Sequence, residues 1–369
     1  MLGRIQVNNL NLIQGELPSV ENYFLFVGRG AGTNEGKLVT MSQETNLDAV
    51  LGAADSNLKT QIQAARLNAG QNWFACVIPL AVDATWEDAV DFAMERTSVE
   101  AIVVTDPVTA STDVEDMQAK AEAIMATYMR PVFIVGCSRK PLVTETWAEF
   151  QDVLRAITAN VAADQVSLVA TLWGPEVGAY AGRLANRSVT VADSPMRVAT
   201  GPLVGEWSDR PEDKDGLILD MSVLDALDKA RWSVPQWYPD YPGVYWGDGN
   251  VLDVPGGDYQ VIENLRVVQK AMRRVYPLAV ARIADRRLNS SPASIAAAKT
   301  YFMRPLRGMS RSRKILGLVF PGEIEPPKDA DIAIVWMSKY SVEIWLTARP
   351  YNSPKAITNN ILLDLTNYG

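Results

Sequence analysis

The sequence predicts an α/β protein, with mixed sheets flanked by helices and extended strand arms at both ends. Three observations lead there. Between Tyr23 and about Ser167 apolar strand-like runs alternate with amphipathic helical runs, the helix starts carry capping residues, and short alternating segments stand apart from this body at either end of the chain.

In chain order, Arg4-Ile5-Gln6-Val7-Asn8 alternates as a strand does, and the Asn-rich stretch up to Pro18 has no helical period, so residues 1–20 read as an extended arm. The α/β body follows over residues 21–200. Its strands are NYFLFVG, WFACVIPL, VEAIVVTD, PVFIVG and QVSLVATLW, with helices at Asn57–Asn68, Trp86–Arg96, Val114–Met129 and Trp147–Val161. This rhythm predicts a largely parallel sheet with helices on its faces. Thr85 before Trp86, and Thr112-Asp113 before Val114, are the expected caps.

Residues 201–258 break the rhythm with Pro, Gly and aromatics, most densely from Trp232 to Trp246. Such rings could form a sugar-binding or base-stacking platform. The favoured reading is that they pin a loop onto a core or line a protein interface. A long helix is expected from about Tyr259 to Asp285, kinked at Pro277, and another from Ser291-Pro292, a cap followed by proline at the first helical position. After Pro326-Pro327, Asp331–Met337 and Val342–Thr347 form a candidate hairpin in which Ile332, Ile334, Trp336, Val342, Ile344 and Leu346 share a parity. Residues 201–350 thus make a second region. Residues 351–369 are a Pro-rich linker and a C-terminal arm with Ile357, Ile361, Leu363 and Leu365 on one face.

Composition narrows the function classes. Among the 369 residues 48% are hydrophobic and 21% charged, as in folded soluble proteins. No apolar run approaches the roughly 20 residues of a membrane span, and the N-terminus lacks a signal pattern, so a cytosolic protein with no membrane insertion is expected. Cys76 and Cys137 sit in apolar runs, where cysteine acts as a small buried hydrophobe. There is no histidine. That removes the commonest general base and metal ligand and excludes Ser-His and Cys-His nucleophiles. Carboxylate or lysine chemistry stays open, but an enzyme is not the expectation.

The motif nearest to chemistry is Gly28-Arg29-Gly30-Ala31-Gly32-Thr33-Asn34-Glu35-Gly36-Lys37, which follows a strand as a phosphate-binding loop would. A nucleotide-binding enzyme using this loop is the alternative reading. Against it, Ala31 takes the first glycine position of a Walker loop, Leu38 replaces the metal-binding hydroxyl, Glu35 adds an anion, and Leu38-Val39-Thr40-Met41 reads as a strand where a helix is required. The dinucleotide fingerprint fails at Thr33. The acidic stretch 209–215 lacks calcium-loop spacing. No cofactor, metal or catalytic residue is expected.

Charge is more telling. Residues 262–314 hold 13 Lys and Arg against Glu263 and Asp285, a local net of +11, which leaves −19 for the rest of a chain whose total is −8. Arg304, Arg307, Arg311 and Lys314 recur at helical steps and would line one helix face if the helix survives Pro305 and Gly308. A one-sided basic patch calls for an anionic partner. An acidic protein surface is favoured over nucleic acid, because a sequence pI near 4.9 repels phosphate over most of the surface and no nucleic-acid motif is present. A nucleic-acid-binding module using 262–314 is the other alternative. The two arms, finally, need a neighbouring edge for their backbone groups, either in their own sheet or, by strand donation, in a neighbouring subunit.

Together, the N-terminal arm ending near Pro18, the α/β body, the run GVYWGDGNVLDVPGGDYQVIENLRVVQKAMRRVYPLAVARIADRRLNSSP, the basic segment and the closing hairpin with its arm at 357–365 resemble the contractile tail sheath proteins of bacteriophages and phage-tail-like bacteriocins. The resemblance spans nearly the whole chain. It implies a structural subunit that forms six-membered rings stacked helically around an inner tail tube, in a virion tail or tailocin particle assembled in the bacterial host cytoplasm. It implies as partners other copies of the chain, the tube protein, and baseplate and tail terminator proteins, with no direct nucleic acid. Residues 201–350 would complete an inner sheath domain whose tube-facing basic helix maps to Arg304, Arg307, Arg311, Arg313 and Lys314. The inter-subunit arms would carry Ile5 and Val7 at one end and Ile357, Ile361, Leu363 and Leu365 at the other. Contraction would draw on repacked interfaces and not on a nucleotide.

Overall fold

A computed structural model describes residues 20–362. Ile5, Val7, Leu363 and Leu365 therefore lie outside the described residues.

The body is built on seven strands. In chain order they are β1 (Phe24–Arg29), β2 (Val39–Ser42), β3 (Phe74–Leu80), β4 (Ala101–Pro107), β5 (Phe133–Cys137), β6 (Val166–Val169) and β7 (Trp232–Ser233). Their spatial order is β2-β3-β1-β4-β5-β6-β7, all parallel except β2, which runs against β3. The expected largely parallel sheet is thus present, and its last strand comes from the aromatic region beyond residue 200. Side-chain alternation divides the sheet into two faces. Leu25, Val27, Ile102, Val104 and Ile134 point to one core, and Phe24, Phe26, Val103, Phe133 and Val135 to the other.

Helices cover both faces. Those of the body are α1 (Leu47–Leu51), α2 (Asn57–Asn68), α3 (Trp86–Met94), α4 (Ser111–Tyr128), α5 (Trp147–Thr158), α6 (Glu176–Leu184) and α7 (Met221–Lys229). The first core takes α3, α4, α5 and α7, and the second takes α1, α2 and α6. Helices α2 and α6 approach so closely that a Cβ on Gly178 would lie 2.0 Å from Gln61 O and one on Gly182 2.3 Å from Ala65 O, so only glycine fits at these two steps. Thr85 caps α3 as expected, accepting from the Asp88 N–H. The cap of α4 differs from expectation. The helix starts at Ser111 after Ala110, and Asp113 acts from inside the first turn, its carboxylate accepting from the N–H of Thr109 and Ala110.

Past the sheet, β8 (Pro235–Tyr238) and β9 (Tyr241–Trp246) form an antiparallel ribbon. The two ends of the aromatic run pack inward, in line with the favoured reading, while Tyr241 at the ribbon's turn is exposed. Trp232 and Trp246 are fully buried, Trp246 stacks on Tyr180 with centroids 4.9 Å apart, and the Trp232 indole N–H donates to Leu154 O at 3.0 Å. Helix α8 (Ile262–Val280) is shorter than the expected Tyr259–Asp285 and ends three residues after Pro277. It is followed by α9 (Pro292–Phe302), α10 (Arg304–Met309), the hairpin β10 (Arg313–Ile315) with β11 (Leu318–Phe320), and the hairpin β12 (Ile332–Trp336) with β13 (Val342–Leu346). Ser291 and Pro292 open α9 as expected. Phe302, Leu306, Met309 and Ile332 centre a third, smaller core there.

Candidate functional site

The root of the glycine loop is packed against the neighbouring strands. A Cβ on Gly28 would lie 1.8 Å from Thr105 Oγ1, so glycine is required here for β1 and β4 to approach. Farther on, Gly36 N–H donates to Pro79 O at 2.9 Å and the Asn34 amide to Val50 O at 2.9 Å, after which the chain enters β2, the antiparallel strand, instead of a helix. A phosphate cradle needs backbone N–H groups converging at a helix N-terminus. Here the N–H of Gly36 goes to Pro79 O, that of Lys37 to Asn34 O and that of Arg29 to Asp106, and no helix follows directly. Arg29 at its root is taken up by Asp106 at 2.6 Å.

Two other features that attract catalytic readings are structural. Glu176 is fully buried, and burial pushes its carboxyl above the usual range; it accepts the N–H groups of Leu172, Trp173 and Gly174 and so holds the turn into α6. In the acidic stretch 209–215, Asp213 accepts from the N–H of Asp215, Leu217 and Trp147. Among the described residues no cluster of metal-ligating side chains occurs. Cys76 and Cys137 are free and buried, and burial raises each thiol to about 12.

The basic segment separates into two populations. One face of α8 is consumed internally: Arg266 pairs with Glu100 at 2.8 Å, Lys270 with Glu323 at 2.5 Å, and Arg273 with Glu21 at 3.2 Å. Arg266, Lys270, Glu100 and Glu323 are each 3% exposed or less. Such pairs stabilise only when both partners are present and hydrogen-bonded. Arg266 also donates to Asn22, so α8 clamps the chain just after the N-terminal segment.

The second population is outward. Arg304, Arg307, Arg311, Arg313 and Lys314 are all exposed, and among the described residues only Arg313 has an ionic contact, a marginal 4.0 Å to Glu323. The expectation of a single helix face is corrected here. Helix α10 ends at Met309, so it carries only Arg304 and Arg307; Arg311 lies in the following turn, and Arg313 and Lys314 lie on β10. The hairpin they enter turns through Leu316, in the left-handed region at φ 48°, and Gly317. The five charges are neighbours in sequence on three kinds of backbone.

The closing hairpin is open to a partner. Ile332, Ile334, Ile344 and Leu346 pack on the third core, with Ile332 opposite Leu346 and Ile334 opposite Ile344, as their parity predicts. On the outer face Val335 and Trp345 are 45% and 63% exposed, and the tip carries exposed Met337 and Tyr340. Among the described residues each strand has one edge without a strand partner. Beyond it, residues 351–362 form no helix or strand, and Ile357 and Ile361 are exposed.

Comparison with known proteins bears on this picture of a subunit with open strand edges. The sequence matches the families described as "DUF2586, N-terminal domain" over residues 2–250 and "DUF2586, C-terminal domain" over residues 258–366. It is 46% identical over 376 aligned residues, spanning all of both chains, to a protein whose name assigns it to the tail sheath of Haemophilus phage HP1 (strain HP1c1). Its fold is similar to the sheath of the extracellular contractile injection system PVC in the contracted state, with a TM-score of 0.63, 11% identity and coverage of 99% of this chain and 98% of that one. It is also similar to a sheath tail protein from Listeria innocua, with a TM-score of 0.60, 9% identity and coverage of 92% and 94%. These likenesses define a class, the structural sheath subunits of contractile tails and injection particles, which are not enzymes. Within that class the chain belongs to the DUF2586 family of tail sheath proteins.

Proposed function

We propose that this sheath subunit assembles as six-membered rings stacked helically around an inner tail tube, and that contraction of the stack drives the tube through the target envelope. The observation that carries the reading is the β12–β13 hairpin, whose open edges and exposed outer face are followed in the chain by a C-terminal segment with its aliphatic side chains Ile357 and Ile361 exposed. An edge strand with unpaired backbone groups is a template for another chain. The C-terminal arm of one subunit, with Ile361, Leu363 and Leu365 on one face, enters a neighbour's sheet, each buried aliphatic contributing roughly 1.5–3 kcal/mol. The N-terminal arm, with Ile5 and Val7, makes the reciprocal link. Residues 21–200 form the body that moves, and residues 201–350 the inner part that holds the mesh. Arg304, Arg307, Arg311, Arg313 and Lys314 face the acidic surface of the tube. Baseplate and terminator proteins close the two ends, nucleic acid is not contacted directly, and assembly takes place in the host cytoplasm.

The test is a chain ending at Ser353, together with the full chain carrying Leu363→Asp. Both should fold and stay as monomers or small aggregates by electron microscopy, since the first removes the strand and the second puts a charge where an apolar side chain must be buried. Sheath tubes of normal length from the truncated chain would show that the arm does not link subunits.

A further inference from the structure

The C-terminal segment is held at one point. From 351 to 362 every residue is exposed except Lys355. A cavity of about 960 Å³, lined among others by Arg197, Tyr238, Tyr241 and Tyr351, lies between this segment and the body, so the segment is not packed along its length. Lys355 crosses to the body and places Nζ 2.6 and 2.7 Å from the two carboxylate oxygens of Asp248 and 2.9 Å from Glu263 Oε1.

The socket joins several elements. Glu263 comes from the first turn of α8 and is 6% exposed, and its second oxygen has no hydrogen-bond partner. Asp248 follows β9 and also accepts from Gly249 N–H. Asp228 of α7 stands close by, bound to the Asn250 amide at 2.8 Å, and the buried Tyr180 of α6 completes the titratable groups around the site. Burial drives both Glu263 and Asp228 above the usual carboxylate range, as expected where anions crowd in a partly dry site. Two carboxylates, Asp248 and Glu263, thus bind one ammonium group with Asp228 as a nearby third anion, and that group is supplied by the segment leaving the body.

We propose that Lys355 is an electrostatic latch, which seats the C-terminal segment in the Asp248–Glu263 socket and sets the pivot of the arm at residue 355 instead of at Pro350. This rests on the reading that the arm reaches a neighbouring subunit. The pivot changes the geometry of that reach. At about 3.3–3.6 Å per extended residue, Leu365 can stand at most about 35 Å from a pivot at 355, against about 50 Å if the chain were free from 351. The latch therefore restricts which neighbours the arm can join and fixes its direction of departure, with Pro354 stiffening the backbone just before the pin.

The latch can be tested on the unassembled full chain. A spin label at Asn352→Cys should be immobile when Lys355 is present and mobile in Lys355→Met, and proteolysis within 350–357 should rise at least about tenfold, since cleavage follows the population of the opened segment. Both native cysteines are buried, so the label is selective. Lys355→Arg should keep the label immobile. If Lys355→Met misfolds because the socket loses its cation, the pair Asp248→Asn with Glu263→Gln removes the attraction without stranding charge and should free the label equally. An immobile label and unchanged proteolysis in either folded variant would overturn the proposal. These readouts precede assembly, and because the chain ending at Ser353 also lacks Lys355, microscopy on Leu363→Asp, which keeps the latch, is the separate test of whether the arm links subunits at all.

Discussion

The body and the late region of this subunit finish their surfaces differently. In the body each face of the seven-stranded sheet is covered by helices, and strands such as Phe24–Arg29 are buried on both sides along almost their whole length. In the late region the hairpin β12–β13 is covered on one side only and shows Val335 and Trp345 on the other, while β10–β11 leaves Leu318, Val319 and the turn residue Leu316 exposed. Apolar side chains left outside a self-sufficient core signal a surface that another chain completes. On the proposed function, one molecule carries a part whose stability is internal and a part that would be finished by assembly.

That contrast can be broken at its stronger end first. Glu100 is fully buried just before β4 and receives two hydrogen bonds from Arg266. Removing one partner of a buried pair strands the other, at a cost of about 3–5 kcal/mol. Glu100→Gln should therefore lower the unfolding midpoint of the whole subunit strongly in denaturant melts. In the late region Ile334→Ala should cost only about 1–2 kcal/mol, because Ile334 is partly exposed where a fully buried isoleucine would lose more. Comparable losses at the two positions would mean that the third core is as complete as the first two.

Next come changes that should leave the fold alone and abolish assembly. Trp345→Ser on the outer face of β13 should shift stability by less than about 0.5 kcal/mol, the usual range for surface substitutions. Sedimentation should nevertheless find no polymers. Replacing Arg304, Arg307 and Arg311 with Glu should likewise keep the melt unchanged, since exposed pairs are worth under about 1 kcal/mol each, while microscopy should find bare tubes. Decorated tubes in that variant would remove these residues from the tube-facing surface.

How much of this was legible in the sequence follows from the range of the interactions involved. The body strands β1 to β6 and the bounds of α2 are local, set by short apolar runs and helical period, and are legible in the sequence, whereas β7 to β11 in the Pro- and Gly-rich stretches are not. The closing hairpin was legible for the same reason. The helix face through Arg304, Arg307, Arg311 and Lys314 was not, because the helix stops after six residues and the chain turns back through Leu316-Gly317, which no periodic count detects. The internal use of Arg266, Lys270 and Arg273 was hidden altogether. Arg266 finds Glu100 across 166 residues, and composition alone assigns both to the surface. The sequence signal that existed was spacing: Glu263, Arg266, Lys270 and Arg273 fall on one stripe of a helix that also carries buried Leu265 and Val267.

The smallest expected effect concerns an exposed clamp in the body. Lys214 Nζ lies 2.8 Å from Glu149 Oε2, and that ion pair, helped by the N–H and hydroxyl of Thr146, lowers the Glu149 carboxyl from 4.5 to about 2. A carboxylate whose pKa falls on folding contributes stability above its unfolded value and loses it as pH falls through its folded value, so this contribution should fade between about pH 4.5 and 2. Glu149 is exposed, so solvent and salt screen the pair and the effect on the melt should be slight. Lys214→Met should melt slightly below the unaltered chain at pH 7 in low salt, and the two curves should converge near pH 2 and again in high salt. A gap that persists at pH 2 would assign the loss to the lysine's packing over the start of α5 instead of to its charge.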